Sequence, residues 1–173
     1  LIKKGKTVMI EQQVTGNNYR IMVFNNEIID VVERKKPFVI GNGKDNLKNL
    51  IKKYNIKQKQ NGDYVIHNFS LNYIKKQGFA LDSIIPPKKK VIVSNTVNYH
   101  NGSPIVRIPI NKMNPENIVM FKKVNKKLGL NLSGIDYMSS SLEKSYLIDG
   151  HIIEVNHLPD MKIHRKAQSI DTY

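Results

Sequence analysis

Two apolar runs, Tyr19 to Phe24 and Glu27 to Val32, are separated only by Asn25-Asn26, and this spacing constrains the fold more than any other feature. Asn tolerates positive φ, so two such residues between β-prone runs specify a tight hairpin. Further strands are predicted at Thr7–Glu11, at Val91–Val97, and near Gly134–Met138 and His151–Asn156, with the turn dipeptide Asp149-Gly150 between the last two. Thr15-Gly16-Asn17-Asn18 reads as a turn, and Pro86-Pro87 breaks regular structure. The clearest helix runs from Pro115 to Leu128, with Asn114 as its cap, Pro115 at its first position and Gly129 as its stop. Its apolar residues Ile118, Phe121, Val124 and Leu128 share one face. A second helix starts near the candidate cap Asp45 and carries Leu47, Leu50, Ile51 and Tyr54 at helical spacing. Residues 55–69 are polar and read as irregular, a short helix spans Ser70 to about Gln77, and Asn98 to Pro104 is a loop. Mixed strands with few helices predict an α+β fold with a largely antiparallel sheet.

A length of 173 residues allows one domain with a real core or two small lobes. No apolar run approaches the roughly 20 residues that span a bilayer, and no stretch near the N-terminus reads as a signal peptide. The chain begins without Met, as a fragment or processed product would. It has no cysteine, so disulfides, thiol nucleophiles and thiolate metal sites are excluded, and a cytoplasmic location with no membrane partner is expected. The formal charge of +14 invites a nucleic-acid reading. Yet the cations are 24 Lys against 4 Arg, while Lys, Asn and Ile together make 67 of the 173 residues. All three have A/T-rich codons, and base or phosphate recognition favours Arg. The expectation is no specific nucleic-acid partner.

Glu154 and Asn156 are two apart on a strand, so they share a face. Asp136 interrupts another apolar strand. Oxygen-bearing side chains in strand interiors suit a hard cation such as Mg²⁺, or else lie on a solvated face. His67, His100, His151 and His157 lack ligand spacing and are expected to be exposed or locally bonded.

The segments Gly134-Ile135-Asp136 and Ile152-Ile153-Glu154-Val155-Asn156, with Pro159 and His164, resemble the metal-binding end of the ATP-grasp carboxylate–amine ligases. The likeness continues in order along the chain. Glu11 to Asn18-Tyr19-Arg20 is similar to that family's hinge and G-R-D-Y-R segment, and Val39-Ile40-Gly41-Asn42-Gly43-Lys44 to V-V-G-D-G-K. Gln77-Gly78-Phe79-Ala80-Leu81-Asp82-Ser83 is similar to Q-G-Y-T-L-D-S, and Asn114-Pro115-Glu116-Asn117 to H-P-E-N-V. Gly129 to Asp136 is similar to G-L-D-I-A-G-I-D. Within the family the resemblance is greatest to the cyanophycin-synthetase branch, then to the bifunctional glutathione synthetases.

The resemblance implies the C-terminal portion of an ATP-grasp fold over residues 1–173, with the N-terminal lobe missing from this chain. It implies ATP and two Mg²⁺ ions as cofactors, with Asp136, Glu154 and Asn156 as metal ligands. Glu11 and the backbone near Val14 would meet the adenine, and Asn18 the ribose, where the family has an acidic residue. Arg20 would meet a substrate carboxylate or the transferred phosphoryl group, and Asn98 would lie near an acyl phosphate. The implied partners are an amino-acid or peptide substrate, the N-terminal lobe of a parent protein, and a homo-oligomeric copy. The chain departs from the family pattern at Ser94, where an Arg is expected, and at Ser103 and Asp160, where glycines are. The alternative is therefore a non-catalytic remnant that binds nucleotide or a partner.

Overall fold

In the computed structural model, which describes residues 11–167, five strands form one antiparallel sheet in the order β5-β2-β1-β6-β7. These are β1 (Asn17–Phe24), β2 (Glu27–Arg34), β5 (Ile105–Arg107), β6 (Leu132–Ser139) and β7 (His151–Asn156). Asn25 and Asn26 both adopt positive φ, at 47° and 63°, so β1 and β2 form the hairpin that their spacing demands. Asn17 and Asn18 extend β1 instead of making a turn, because they pair with Ser139 and Met138 of β6. The strand expected at Thr7–Glu11 lies largely outside the described residues, and Glu11 itself is irregular.

The hairpin register shifts by one between Met22 and Val23, so Ile29 has no partner. This bulge sets every later face of β2. Val23 pairs with Ile28, but Arg20 pairs with Val32 and Asn18 with Arg34. One face of the sheet is apolar, built from Tyr19, Ile21, Val23, Ile28, Val31, Ile135 and Tyr137.

Helix α3 (Pro115–Lys127) packs on that face. Asn114 accepts from the Glu116 amide at 2.9 Å, Pro115 opens the helix, and Gly129 leaves it at φ 64°. Phe121 meets Tyr137 edge to face at 5.0 Å. Leu128 departs from the expected one-faced pattern and is 54% exposed, because the chain turns out of the helix there. Buried Asn125 donates to Leu130 O and to Asn26 Oδ1 and accepts from Ser133, which locks the helix to the hairpin turn and to β6.

A second layer holds the two-stranded sheet of β3 (Phe38–Ile40) and β4 (Lys90–Ile92) with helices α1 (Leu47–Gln60) and α2 (Leu71–Lys76). Helix α1 is capped by Asn46 and not by Asp45, and it runs through residues expected to be irregular. Its second half is Lys- and Gln-rich, which favours helix without leaving an apolar stripe. The short helix expected from Ser70 begins one residue later, since Ser70 caps α2, and Gly78 follows the helix at φ 83°. Strand β4 stops at Ile92, well short of Val97. Gly41 is required in this layer, since a Cβ there would lie 2.1 Å from Pro86 O.

A small cluster of Val32, Tyr99, Ile105 and Ile163 joins this layer and α4 (Lys162–Lys166) to the sheet face opposite α3. Among the described residues no helix is long and apolar enough to cross a membrane.

Candidate functional site

The sheet face opposite α3 carries a row of charges. Arg20, Asp136 and Glu154 are direct cross-strand neighbours on β1, β6 and β7. Asn156 lies two residues beyond Glu154, opposite Gly134. Such pairs place Cβ atoms about 5 Å apart, so the three strands deliver side chains to one locus. The expected adjacency of Asp136 and Glu154 is therefore present.

Asp136 is the hub of this row. Arg20 Nη2 donates to its Oδ2 at 3.2 Å and Arg20 Nε contacts its Oδ1. Arg34 Nη2 lies 3.1 Å from the same Oδ1. All three side chains are mostly shielded, at 12% exposure for Arg20 and Asp136 and 15% for Arg34. Burial pushes the Arg34 guanidinium below its ordinary value, with Asp136 opposing the shift and Arg20 adding to it. Gly134 makes room for this arrangement, since a Cβ there would sit 2.6 Å from Arg20 Nη1 and 2.7 Å from Pro159 Cβ. Arg34 is the residue that sequence reasoning missed. A two-residue hairpin without a bulge would turn Arg34 away from Asn18, so only the extra Ile29 brings it to Asp136.

Asn18 lies beside this cluster and accepts from Arg34 Nε at 2.5 Å, which commits its side-chain oxygen and leaves its NH₂ as a donor. Glu11 is exposed and Val14 half-buried, both in irregular backbone before β1. No described contact joins either to Arg20 or Asp136. Asn98 caps a 3-10 turn, Tyr99–Asn101, by accepting from His100 N at 2.9 Å, and its backbone N–H donates to Ser103 Oγ. Ser94 is buried, with its hydroxyl turned to the Thr96 amide. The histidines at 67, 100, 151 and 157 are exposed, as expected.

His164 is different: it is buried, with Nδ1 3.0 Å from Asp30 Oδ2. Arg107 Nε lies 3.1 Å from Asp30 Oδ1, and Nη2 of Arg107 bonds the His164 carbonyl, so α4 is fastened to β2 and β5. Burial would raise the Asp30 carboxyl, but its bonds to His164 and Arg107 outweigh this and hold it below the usual carboxylate range.

The donor set of Asp136, Glu154 and Asn156 fits a hard divalent cation. Two carboxylates face each other across a ladder, an arrangement that is unfavourable without positive charge nearby. Oδ1 of Asp136 is buried and lacks an aligned hydrogen bond even though both arginines approach it. Among the described residues no group of three His, Cys, Asp or Glu converges, so the third donor would be the Asn156 amide oxygen.

No protein-family model matches the chain. Comparison with curated proteins finds cyanophycin synthetase of Synechocystis, 29% identical over 93% of this chain and 19% of that protein. It also finds the glutathione biosynthesis bifunctional protein GshAB of Clostridium perfringens, 24% identical over 94% of this chain and 22% of the relative. Among solved structures, a bifunctional glutathione synthetase from Pasteurella multocida superposes with a TM-score of 0.72 at 20% identity, over 88% of this chain and 22% of that one. The chain thus spans about a fifth of the length of the curated relatives it matches.

Proposed function

We propose that this chain, which carries the ATP-grasp fold and is related in sequence to cyanophycin synthetases and bifunctional glutathione synthetases, is the nucleotide- and metal-binding portion of an ATP-dependent carboxylate–amine ligase. The observation that carries this reading is the row Arg20–Asp136–Glu154 on adjacent strands, with Asn156 on the same face. In such a ligase ATP activates a carboxylate as an acyl phosphate, and an amine then displaces phosphate to give an amide. The carboxylate and amine would come from amino acids or a peptide, as the relatives' names suggest. Asp136, Glu154 and Asn156 would hold Mg²⁺, which when bound neutralises charge on phosphate oxygens.

The protein's own contribution is placement. Arg20 and Arg34 hold the Asp136 carboxylate at a fixed angle on the sheet. Two arginines against Asp136 and Glu154 leave this row without net charge, so a bound cation would make the face attractive to an anionic substrate. Gly134 leaves space for Arg20, and Asn18 is left with an NH₂ donor for a hydroxyl or phosphate oxygen. The complete reaction is proposed for a longer whole in which the N-terminal lobe of a parent protein closes over this portion.

A portion that binds nucleotide without turnover is the second reading. It is favoured by Ser94, whose side chain is buried and committed to a local turn, with no cation at its place.

Thermal unfolding of the 173-residue chain with ADP, with and without Mg²⁺, tests the site. Stabilisation that needs both components, and that Glu154→Gln removes, is the expected result. A nucleotide response indifferent to Mg²⁺ would count against the metal ligands. ADP release by a longer parent protein with an amino-acid panel then separates turnover from binding alone.

A further inference from the structure

Strand β7 is an edge of the sheet and pairs with β6, in a ladder that Ile153 interrupts as a bulge. Residues 151–154 are exposed, and Val155 is the β7 residue that packs against the core under α3. Its first end is secured from β6, where Asp149 Oδ2 accepts from the Ser140 amide at 2.8 Å. The other end, which carries Glu154 and Asn156, runs on into the segment that leads to α4. That segment doubles back across the polar face of the sheet. Pro159 is buried against Gly134 and Arg20, close enough that a Cβ on Gly134 would lie 2.7 Å from Pro159 Cβ. Proline suits this crossing, because it brings no N–H that would need a partner over the sheet. Ile163 of α4 then reaches Val32 on β2 and Ile105 on β5. Strands β7 and β2 lie three spacings apart, about 14 Å, and the five residues between Asn156 and Lys162 reach at most about 20 Å. The connection has little slack, so the place where α4 is fastened bears on where β7 ends.

The fastening centres on His164. Its Nδ1 faces Asp30 Oδ2 at 3.0 Å, so Nδ1 carries the proton that the carboxylate accepts, and the Arg107 guanidinium bonds both Asp30 and the His164 carbonyl. Nε2 of the same ring is buried without a partner. An unmet buried polar atom costs free energy that a leucine of similar bulk would not incur. The bond to Asp30, and not packing, therefore accounts for a histidine here. Lys162 and Lys166 also tie α4 down, to the Tyr64 hydroxyl at 3.2 Å and to Asp63 at 3.1 Å, but both reach from partly exposed positions, where such ties hold weakly.

We propose that His164 is a positioning residue: its bond to Asp30 anchors residues 157–166 as a strap that holds the end of β7, and so sets Glu154 and Asn156 against Asp136. The anchor lies on β2, two strands away from Asp136, and acts on the row only through the strap. For the metal ligands the inference rests on the reading above; for the seating of β7 it does not.

The test compares His164→Leu with His164→Asn in the 173-residue chain. Leucine keeps the buried bulk and loses the bond, whereas the asparagine amide keeps an N–H near the place of Nδ1. Amide hydrogen exchange is read first, without ligand. In His164→Leu the amides of α4 and of β7 should exchange at least about tenfold faster, the factor that one hydrogen bond of ordinary worth carries. His164→Asn should stay nearer the wild type. Ile74→Val, which loses a buried methyl in the second layer and weakens the fold as a whole, should leave β7 exchange at the wild-type level. Titration with Mg²⁺ at saturating ADP is read second. Half-saturation in His164→Leu should need at least about tenfold more Mg²⁺, as is usual when a group that orients metal ligands is lost. ADP binding without Mg²⁺ should be unchanged, a split that general loss of stability would not give. Faster exchange confined to α4, or β7 exchange as fast in Ile74→Val as in His164→Leu, would overturn the proposal. So would an unchanged demand for Mg²⁺ in a variant whose β7 exchanges faster. A wild type that binds ADP without any response to Mg²⁺ would instead count against the metal reading, and the exchange result would still decide whether His164 seats β7.

Discussion

Replacing Asp136 with Asn tests how far the polar face depends on one carboxylate. In the folded protein Asp136 neutralises two guanidinium groups, Arg20 and Arg34, all three side chains being 12–15% exposed. The amide keeps the shape but removes the charge, leaving two cations adjacent and mostly shielded. Removing one partner of a buried ion pair costs about 3–5 kcal/mol, and the residual exposure here places the expectation near the lower end, about 3 kcal/mol. Against a typical total of about 5–15 kcal/mol, that is a large loss. For a chain of this size it corresponds to a fall in Tm of roughly 6–12 °C. Urea unfolding of the single variants Asp136→Asn and Arg34→Gln, and of the pair, gives the coupling directly. The pair should be more stable than the sum of the singles predicts by at least about 1 kcal/mol, since Arg34→Gln relieves the repulsion that Asp136→Asn creates. A cost under about 0.5 kcal/mol for Asp136→Asn, the scale of an ordinary surface change, would refute the hub.

Glu154 is the cleaner metal probe: it is exposed and forms none of the Asp136 ion pairs, so Glu154→Gln should alter unfolding by no more than about 0.5 kcal/mol while abolishing the Mg²⁺-dependent part of nucleotide binding, measured by titration. Gly134→Ala forces a methyl group against Arg20 and Pro159 and should cost about 1–3 kcal/mol by urea unfolding, with the loss reduced in an Arg20→Ala background, where the long side chain is gone. Acid should release α4 late: the Asp30 carboxyl is held below its unfolded value, so the folded state binds fewer protons there and its contribution persists above the unfolded value. That contribution is lost only as pH falls below about 4, the ordinary carboxylate range. Amide exchange across α4 should show this loss in the wild type and not in Asp30→Asn. Asn117 is fully buried, donates to Leu142 O and Lys144 O and accepts from Tyr146 N, so Asn117→Ala should cost about 1–3 kcal/mol in thermal or urea unfolding.

Local chemistry made much of this legible in advance. The hairpin at Asn25-Asn26 and the cap at Asn114 follow from signals within a few residues of themselves, whereas the pairing of Asp136 with Glu154 is expected from the order of motifs along the chain. Helix α1 ran past its expected end because beyond Tyr54 it carries no buried apolar residue to mark the periodicity, with Ile56 exposed. Strand β5 hid inside Ile105-Val106-Arg107, three residues that become a strand only by pairing with β2. The role of Arg34 was out of reach for a different reason. Face assignment depends on strand register, and a single bulge at Ile29 inverts it for the rest of β2. Nothing in a run of isoleucine, aspartate and valine marks which residue will be skipped.

The shared position of Arg34 carries a thermodynamic consequence. One guanidinium is held by Asp136 and by Asn18 at once. A divalent cation at Asp136 would compete with Arg34 for the same carboxylate oxygen. Cation binding and the ion pair are then linked reciprocally: whatever factor the pair takes from the cation's affinity, the cation takes from the pair.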